Sequence, residues 1–521
     1  MLYPIGIQNF EKLREGGYTY IDKTGLIYRL VSTGTYYFLS RPRRFGKSLL
    51  TSTLESYFQG RRDLFEGLAI SGLETEWNEY PVLHIDFSGV AYKSSDVLGK
   101  VLDQFLSDWE RIYGVAASSD LPGLRFQRVI DAACEKTGRQ VVVLIDEYDK
   151  PIVDNLTEPE LMNVFRSQLQ GFYSVLKAKD GKVRFAFLTG VSKIGKMSVF
   201  SGLNNLRDIS MLPEYSSICG ISESELHSYF DESISELASS TRETKEDCYS
   251  HLKEMYDGYH FCEDSEGMYN PFSLLNTFAN RKYGEYWFET GTPTLLVDVM
   301  KNTTYDITLL GSQDVTVESL NGVDSILDNP VPLFFQTGYL TVKDYEPMVG
   351  LYTLGFPNRE VKDGFMRFMI RYYLNTSNAS TSIARVMKMK LCLFRGDASG
   401  FMSELESFFA GISYQIQGDV EKDFQYAMYI ILELVGLDVE VERTTSNGRM
   451  DMLIKTKDYI YIIEIKVDST ADAALRQIDE KGYARPFASD SRKLYRIGVS
   501  FSTATRRIED WKVLDWAKIA D

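Results

Sequence analysis

Residues 35–48, with the sequence TYYFLSRPRRFGKS, contain the pattern that decides the fold class. The first six are mostly aromatic and apolar, as in a buried strand, and the polar loop after them ends in Gly46-Lys47-Ser48. Leu49 then opens an apolar helical stretch. A strand, a loop with this ending and a helix form the context of a phosphate-binding loop, or P-loop, which predicts an α/β fold with a parallel sheet.

The residue types of this loop suit a nucleoside triphosphate. Backbone N–H groups and the helix N-terminus hold phosphates, and Gly46 lets the backbone approach them closely. Lys47 is expected to reach the β- and γ-phosphate oxygens of ATP, and the Ser48 hydroxyl to coordinate Mg²⁺. The expected nucleotide-binding residues of the loop are Arg43, Arg44, Phe45, Gly46, Lys47, Ser48 and Leu49.

One position departs from the general Walker A pattern GxxxxGK[ST]. Arg41 stands where the first glycine is usual, so the entry of the loop must turn by some other means. The competing interpretation is a chance Gly-Lys-Ser tripeptide at a helix start. A second motif in the place that the fold requires favours the P-loop.

That second motif is residues 141–147, VVVLIDE, an apolar strand that ends in two carboxylates like a Walker B element. Asp146 is expected to hold the Mg²⁺ shell, and Glu147 to orient and deprotonate the attacking water. The alternative is a buried strand with a solvated acidic end. The two motifs support each other.

Further polar residues follow the apolar run at residues 183–189. Thr189 or Ser192 is a candidate sensor of the γ-phosphate, although Ser and Thr at strand ends are often turn formers. Arg207 is a candidate arginine finger across a subunit interface, on its spacing alone.

The composition narrows the function classes. The formal net charge of −16 gives no general attraction to nucleic acid, so any contact with DNA or RNA must be local. Five scattered cysteines without a CxxC pair fit reduced thiols better than a disulfide framework or zinc ribbon. With neither a signal peptide nor a membrane-spanning apolar stretch, we expect a cytoplasmic protein that does not enter the membrane.

The remaining patterns divide the chain. Strands are predicted at residues 35–40, 81–87, 140–146 and 183–189, separated by segments long enough for helices. Helical spacing dominates residues 222–283, and turn-marked helical segments fill residues 283–411 without indicating a fold. A second α/β domain is predicted after Gly418, with a helix at 420–434 and strands near 438–443, 451–454 and 459–465.

A second catalytic candidate lies in this last region. Alternation along a strand puts Glu464 and Lys466 on one face, where Asp451 of the neighbouring strand can meet them. The two carboxylates and the Ile465 carbonyl are hard oxygen ligands for Mg²⁺ or Mn²⁺. Lys466 is suited to positioning a water or stabilising phosphorane charge. The alternative is a solvated ion pair on an amphipathic strand.

Several stretches together resemble the AAA-ATPase-like family of bacteria and archaea, relatives of the STAND and archaeal ATPases. They are YIDKT (residues 20–24), RPRRFGKS (41–48), LIDEYD (144–149), SGLNN (201–205), YDGYHF (256–261) and YNPF (269–272). The family loop commonly has RPRRFGKS, so Arg41 is in pattern there. The resemblance also implies that residues 22–24 pack near the nucleotide, whereas the residues alone indicate only a charged turn.

The C-terminal constellation resembles the PD-(D/E)XK nuclease superfamily from Gly418 onward. This resemblance implies Glu421 as an added acid on the preceding helix, and Gln477, before Tyr483, as the motif on the following helix. Basic residues in this region form either a local phosphate-binding face or ordinary surface charge: Arg443, Arg449, Lys455, Lys457, Arg476, Lys481 and Arg485.

Together these patterns predict four parts. They are an AAA-like P-loop ATPase core with a parallel sheet and helices (residues 1–220), a helical lid (221–300), a middle helical or linker region (301–410) and a restriction-endonuclease-like α/β domain (411–521). The leading hypothesis is an ATPase that controls a metal-dependent nuclease acting on DNA or RNA. Its candidate partners also include further copies of the chain, in a homo-oligomer. The alternative is a nucleotide-dependent switch whose C-terminal domain binds nucleic acid or a partner without cleaving.

Overall fold

The computed structural model describes residues 1–116, 121–194, 196–200, 203–290, 299, 305, 307–321, 329–374, 379–410, 420–435, 438–445 and 448–516. The chain forms two compact units, residues 1–362 and 363–521, with the boundary inside the helix Arg359–Leu374. In the described part of the chain, no helix has both the length and the apolar character needed to cross a bilayer.

A parallel five-stranded sheet forms the centre of the first unit. Its strands are β1 (Tyr36–Ser40), β2 (Val82–Asp86), β3 (Val141–Asp146), β4 (Val183–Gly190) and β5 (Arg207–Asp208), in the order β2-β3-β4-β1-β5. Residues of β1, β3 and β4 are almost all buried, because helices cover both faces of a parallel sheet. The four strands predicted from the sequence are confirmed, and the carboxyl ends of β1, β3 and β4 meet at one edge.

Helices surround this sheet and continue beyond it. Among the described residues of the first unit, the α-helices are Phe10–Glu15, Thr24–Thr33, Lys47–Phe58, Val97–Tyr113, Pro122–Thr137, Lys150–Val153, Pro159–Ala178, Lys196–Val199, Glu223–Thr241, Lys245–Tyr256, Pro271–Asn280, Tyr286–Thr290, Val317–Asn321 and Val331–Thr337. Short 3-10 helices lie at Arg62–Phe65, Ala69–Gly72, Asp180–Lys182, Pro213–Tyr215 and Ile307–Gly311.

The helical character predicted for residues 222–283 is confirmed. The strands β6 (Ile221–Ser222) and β7 (Met268–Tyr269) pair beside the helices of this segment. Ser222 caps the helix Glu223–Thr241 through a capping box with Glu225, which satisfies backbone N–H groups of the first turn. Buried apolar residues join the three helices into one core, among them Leu226, Phe230, Leu252 and Phe278.

The prediction of a helical or linker region at residues 301–410 needs correction. Part of it is a three-stranded antiparallel sheet, with β8 (Gln313–Thr316), β9 (Thr341–Glu346) and β10 (Leu351–Gly355) in the order β8-β10-β9. β8 has only four residues, and the buried positions of β9 do not alternate with exposed ones, so the sequence gives little strand periodicity here. The compact second unit also starts at Asp363, within the range predicted as middle region.

The second unit contains a mixed five-stranded sheet. Its strands are β11 (Asp438–Thr445), β12 (Gly448–Lys455), β13 (Tyr459–Val467), β14 (Lys493–Ser502) and β15 (Arg507–Asp515), hydrogen-bonded in chain order. Only β13 and β14 are parallel, and the helix Ala471–Lys481 connects them. The other helices are Ala379–Arg395, Ala398–Ala410, Val420–Val435 and the 3-10 turn Arg485–Phe487. This architecture confirms the predicted second α/β domain.

Candidate functional site

Two residues give the P-loop its shape. Arg44 and Gly46 have φ values of +67° and +96°, both in the left-handed region. Gly46 occupies the N-cap of the helix Lys47–Phe58, and the space where a Cβ would lie is open. A loop that reaches a helix N-terminus in this way directs backbone N–H groups toward one point, which is the requirement for holding a phosphate.

Arg41 explains how the loop begins without its first glycine. The residue is not left-handed, and its guanidinium, only 1% exposed, is anchored in the protein. It donates to the carbonyl oxygens of Ser40 and Ser210 at 3.0 and 2.6 Å and to that of Tyr215 at 3.1 Å. Burial lowers the pKa of Arg41 to about 10. Side-chain anchoring therefore replaces glycine flexibility at the loop entry.

The YDGYHF motif lies against the same loop. The ring of Phe45 contacts Tyr259 and Phe261 edge to face, with ring centroids 4.7 and 5.5 Å apart. The Arg41 guanidinium lies 4.0 Å from the ring centroid of Phe261. This motif therefore supports the P-loop, a role that its sequence alone did not indicate.

Lys47 is bonded to its own loop. Its Nζ donates to the carbonyl oxygens of Arg41 and Pro42 at 2.9 and 3.1 Å, and the side chain is buried. Burial lowers the pKa of this amine, against the opposing effect of the nearby Glu147 carboxylate. The expected contact of Lys47 with phosphate oxygens stays a prediction and requires these loop bonds to be exchanged.

The predicted acids lie at the end of β3. Asp146 is buried and accepts hydrogen bonds from the Thr189 hydroxyl at 2.5 Å and from the backbone N–H of Glu147 at 3.1 Å. Glu147 has a φ of +53°. Burial raises the pKa of Glu147, while the charge of Lys47 acts in the opposite direction.

The other predicted nucleotide-sensing residues are separated from one another. Thr189 contacts Asp146, whereas the backbone N–H and hydroxyl of Ser192 donate to Asp149 at 2.7 and 2.6 Å. Arg207 pairs with Glu214 on the surface. Sequence reasoning missed Asp149, although its place two residues after the Walker B glutamate was a usable signal.

A cavity of about 430 Å³ lies in front of the P-loop, within the size range of small-ligand sites. We call it the P-loop cavity. Glu147 lines it together with seven of the predicted nucleotide-binding residues, namely Arg43, Arg44, Phe45, Gly46, Lys47, Ser48 and Leu49. Asp146 and Thr189 do not line it. Apolar and aromatic residues of the first unit line other parts of its wall, including Tyr20, Phe230 and Phe272.

The DKT segment, residues 22–24, is also at this cavity. Lys23 lines it and forms an ion pair with Glu225 at 2.6 Å, in the first turn of the helix Glu223–Thr241. Asp22 accepts hydrogen bonds from Thr24 and from the backbone of Ala69. The segment therefore ties one cavity wall to the helical region.

Four predicted residues of the second unit come together around one carboxylate. The Lys466 Nζ donates to Glu464 Oε1 at 3.2 Å, and the Gln477 amide donates to the same oxygen. Asp451 N donates to Glu464 Oε2 at 3.5 Å, and Asp451 Oδ2 accepts from Ile465 N at 2.8 Å. We call Asp451, Glu464, Lys466 and Gln477 the acid cluster.

The fold brings Gln477 to the acid cluster through close packing of a helix on a strand. Glu464 of β13 lies beside Gly498 of β14 in the parallel register. A Cβ at Gly498 would lie 2.3 Å from the carbonyl oxygen of Ala471, so only glycine lets the helix Ala471–Lys481 approach the sheet here. The side chain of Gln477 thereby reaches the strand face that carries Glu464.

The electrostatics of the acid cluster suit a divalent cation. Glu464 is fully buried, and burial followed by the neighbouring Asp451 carboxylate raises its pKa to about 7. Two adjacent carboxylates in a buried site repel each other, and a bound Mg²⁺ or Mn²⁺ would remove that repulsion. Within the described residues no group of three or more His, Cys, Asp or Glu side chains is placed to hold a metal ion. Asp451, Glu464 and the Ile465 carbonyl stay a prediction as metal ligands.

Some predicted residues cannot be placed in this cluster. Glu421 belongs to the helix Val420–Val435, but its side chain lies outside the described ones, as do those of Arg443 and Arg449. Four of the predicted basic residues are exposed, namely Lys457, Arg476, Lys481 and Arg485. Lys455 is half-buried.

Comparison with known proteins gives a match for a part of each unit. Residues 4–200 match a family model described as "Predicted AAA-ATPase", and residues 419–511 match the PD-(D/E)XK nuclease superfamily. The chain is 38% identical over 518 residues to the "Uncharacterized protein in vnfD 5'region" of Azotobacter chroococcum mcd 1, with 97% of each chain covered. The protein therefore belongs to the AAA-ATPase-like family and carries a C-terminal domain of the PD-(D/E)XK nuclease superfamily.

Proposed function

We propose that the first unit binds and hydrolyses ATP and thereby controls a metal-dependent nuclease in the second unit. The ATPase part is supported by the P-loop cavity, where Lys47, Ser48 and Glu147 line one space of nucleotide size. In this proposal the loop N–H groups and Lys47 bind the phosphates, Ser48 and Asp146 hold the Mg²⁺ shell, and Glu147 orients and deprotonates the attacking water. Thr189 keeps Asp146 in place through its hydrogen bond.

One observation carries the nuclease part of the proposal. Asp451, Glu464, Lys466 and Gln477 come from two strands and a helix and meet within hydrogen-bonding distance around the Glu464 carboxylate. A surface ion pair, the alternative for this sequence pattern, does not require a fully buried acid with three protein donors.

The roles within the acid cluster follow from its chemistry. Asp451, Glu464 and the Ile465 carbonyl would hold Mg²⁺ or Mn²⁺, which when bound supplies Lewis-acid stabilisation of a phosphodiester and an activated water. Lys466 orients that water or offsets developing negative charge, and Gln477 holds Glu464. Glu421 is assigned as an additional acid. The nucleic acid, DNA or RNA, would contact the exposed basic residues of this unit.

We assign residues 1–220 to the ATPase core, 221–300 to a helical lid and 411–521 to the nuclease-like domain. Residues 301–410, which include the antiparallel sheet of β8, β9 and β10, lie between the last two in the sequence. Under this assignment Lys23 and Glu225 link the core to the lid beside the P-loop cavity. Arg207 is exposed and paired with Glu214, and a role as an arginine finger requires a homo-oligomer that brings it to a neighbouring site.

A second candidate function is a nucleotide-dependent switch that binds nucleic acid or a partner without cleaving. The observation that favours it is the occupancy of the carboxylate oxygens by protein donors. Lys466 and Gln477 both donate to Glu464, and Ile465 N donates to Asp451. A metal ion would have to displace some of these hydrogen bonds.

The proposed function is tested by cleavage of single-stranded, duplex and branched DNA and of RNA with Mg²⁺ or Mn²⁺, with and without ATP. The variants are Lys47→Ala and Asp451→Ala, and Asp458→Ala is the control because it removes an exposed acid from the turn between β12 and β13. Cleavage that is lost in Asp451→Ala, altered in Lys47→Ala and kept in Asp458→Ala supports the proposal. No cleavage by wild-type protein that hydrolyses ATP favours the switch.

A further inference from the structure

Glu147 has an unusual backbone conformation at the edge of the P-loop cavity. Its φ of +53° lies in the left-handed region, which residues with a Cβ seldom adopt. Such a conformation costs free energy and persists where the surrounding structure holds it. Whatever holds the backbone of Glu147 therefore also determines how its carboxylate is presented to the cavity.

Tyr148, the next residue, is bonded to the loop that follows β4. Its backbone N–H donates to the carbonyl oxygen of Thr189 at 2.9 Å. Its hydroxyl lies 3.1 Å from the carbonyl oxygens of both Ser192 and Ile194 and shares its hydrogen bond between them. The side chain is fully buried, so its hydroxyl cannot form a hydrogen bond to bulk water in place of these carbonyl oxygens.

Asp149 is bonded to the same loop. Its Oδ1 accepts from the backbone N–H of Val191 at 3.2 Å, and its Oδ2 accepts from the N–H and the hydroxyl of Ser192 at 2.7 and 2.6 Å. The residue is only 1% exposed. Hydrogen bonds to a buried carboxylate are stronger than those between neutral groups, so the attachment is firm.

Gly190 makes this attachment possible. A Cβ there would lie 2.6 Å from both the Tyr148 ring and Asp149 Oδ1. On its far side the loop is held by a different element, because Lys193 N donates to Gln336 Oε1 at 2.6 Å from the helix Val331–Thr337. Residues 190–194 are therefore held by the helix Val331–Thr337 on one side and hydrogen-bonded to Tyr148 and Asp149 on the other.

We propose that Tyr148 and Asp149 are positioning residues for ATP hydrolysis. By fastening the segment after β3 to residues 190–194, they keep Glu147 left-handed, with its carboxylate toward the P-loop cavity. This inference rests on the proposed ATPase function and adds two residues that act through Glu147 without lining the cavity themselves.

The test measures steady-state ATP hydrolysis and binding of a fluorescent ATP analogue by the full chain and three variants. Tyr148→Phe removes only the hydroxyl, and Asp149→Asn removes the charge with little change in volume. Tyr173→Phe is the matched control, because Tyr173 is fully buried, lies 5.1 Å from the same Phe200 ring as Tyr148, and its hydroxyl has no hydrogen-bond partner among the described residues.

We expect kcat to fall about tenfold or more in Tyr148→Phe and Asp149→Asn, because the proton-accepting group is misplaced. The analogue Kd should stay within about threefold of wild type in Tyr148→Phe, which changes neither a charge nor a residue that lines the P-loop cavity. Tyr173→Phe should keep the wild-type kcat. A wild-type kcat in folded Tyr148→Phe overturns the inference, and so does a loss of nucleotide affinity in proportion to the loss of kcat. If Asp149→Asn does not fold, Tyr148→Phe decides alone.

Failure of the proposed ATPase has a separate signature. Wild-type protein that binds the analogue without hydrolysing ATP contradicts the ATPase proposal, and crystal structures of wild type and Tyr148→Phe then decide the positioning role. A Glu147 that is left-handed only in the wild type supports it. A left-handed Glu147 in both overturns it.

Discussion

The P-loop cavity and the acid cluster present their functional groups in opposite ways. In the first, Lys47 begins the helix that follows β1 and Glu147 lies in the turn after β3, and both line an open space of about 430 Å³. In the second, Glu464 lies on the face of a strand beneath a helix, is fully buried and is bonded to neighbouring side chains. The first arrangement leaves a cavity in front of its functional groups, while the second holds its functional groups in contact with one another.

The lysines differ in the same way. Lys47 is held by carbonyl oxygens of its own loop, which a phosphate can replace without exposing a carboxylate. Lys466 is paired with Glu464, the group that would bind the metal. A ligand at the P-loop cavity therefore rearranges one loop, whereas a metal at the acid cluster competes with existing ion and hydrogen-bond partners.

The largest expected effect breaks the acid cluster alone. Glu464→Ala should lower nuclease activity by about 1,000-fold, because a catalytic metal contributes several kcal/mol of transition-state stabilisation. ATP hydrolysis by the first unit should remain at the wild-type rate. Fluorescent-substrate cleavage and phosphate release measure the two activities, and equal losses of both would contradict the separation of the two sites.

Glu147→Gln changes the P-loop cavity and leaves the acid cluster as it is. ATP hydrolysis should fall by about 100-fold, since a positioned general base contributes on that scale, while ATP binding persists. Lys47→Ala, by contrast, should lose ATP binding because it removes the phosphate-contacting amine. Isothermal titration with ATP and a phosphate-release assay distinguish the two. Loss of binding in Glu147→Gln would remove this distinction.

Glu360 separates the effect of burial from that of a functional site. It is buried like Glu464, and burial raises its pKa to about 8, but its partners are Ser273 and the backbone of Trp287. Because the folded-state pKa exceeds that of an unfolded Glu, the folded protein holds the proton more tightly, and its stability falls as pH rises from about 4.5 to about 8.

Glu360→Gln should remove that fall. Above pH 8 the variant is expected to be more stable than wild type by on the order of a few kcal/mol, with little difference at pH 4.5 and below. Urea unfolding across this pH range measures the effect. Glu254→Gln changes an exposed glutamate instead and should leave the pH profile as it is. Parallel profiles for wild type and Glu360→Gln would show that Glu360 is ionised throughout.

The smallest expected effect concerns the packing that closes the acid cluster. Gly498→Ala should destabilise the second unit by about 1–3 kcal/mol, because its Cβ would overlap the carbonyl oxygen of Ala471. Gly99→Ala, in the helix Val97–Tyr113 with open space around it, should stabilise its helix by about 0.5–1 kcal/mol. Hydrogen exchange of the amides in β14 and in that helix measures both, and unchanged exchange in β14 would contradict the packing argument.

The P-loop, the Walker B strand and the sheet that carries them were predictable because each depends on a few consecutive residues. Gly46, Lys47 and Ser48 form the N-cap and start of one helix, while Asp146 ends an apolar strand and Glu147 follows it directly. The antiparallel sheet of β8, β9 and β10 was not predictable, since it joins short strands across helices and its pairing of Gln313 with Leu354 is non-local. Gln477 entered only through a family resemblance, because no local pattern relates it to Glu464.

The sequence by itself determined the α/β class, the phosphate loop and the acidic residue types, because backbone preferences and apolar periodicity act over a few residues. Tertiary structure decided what surrounds them. Arg41 is anchored by Tyr215, 174 positions away, and Asp149 is bonded to Ser192. Burial, pKa and side-chain orientation depend on such distant partners, so they exist only once the chain has folded.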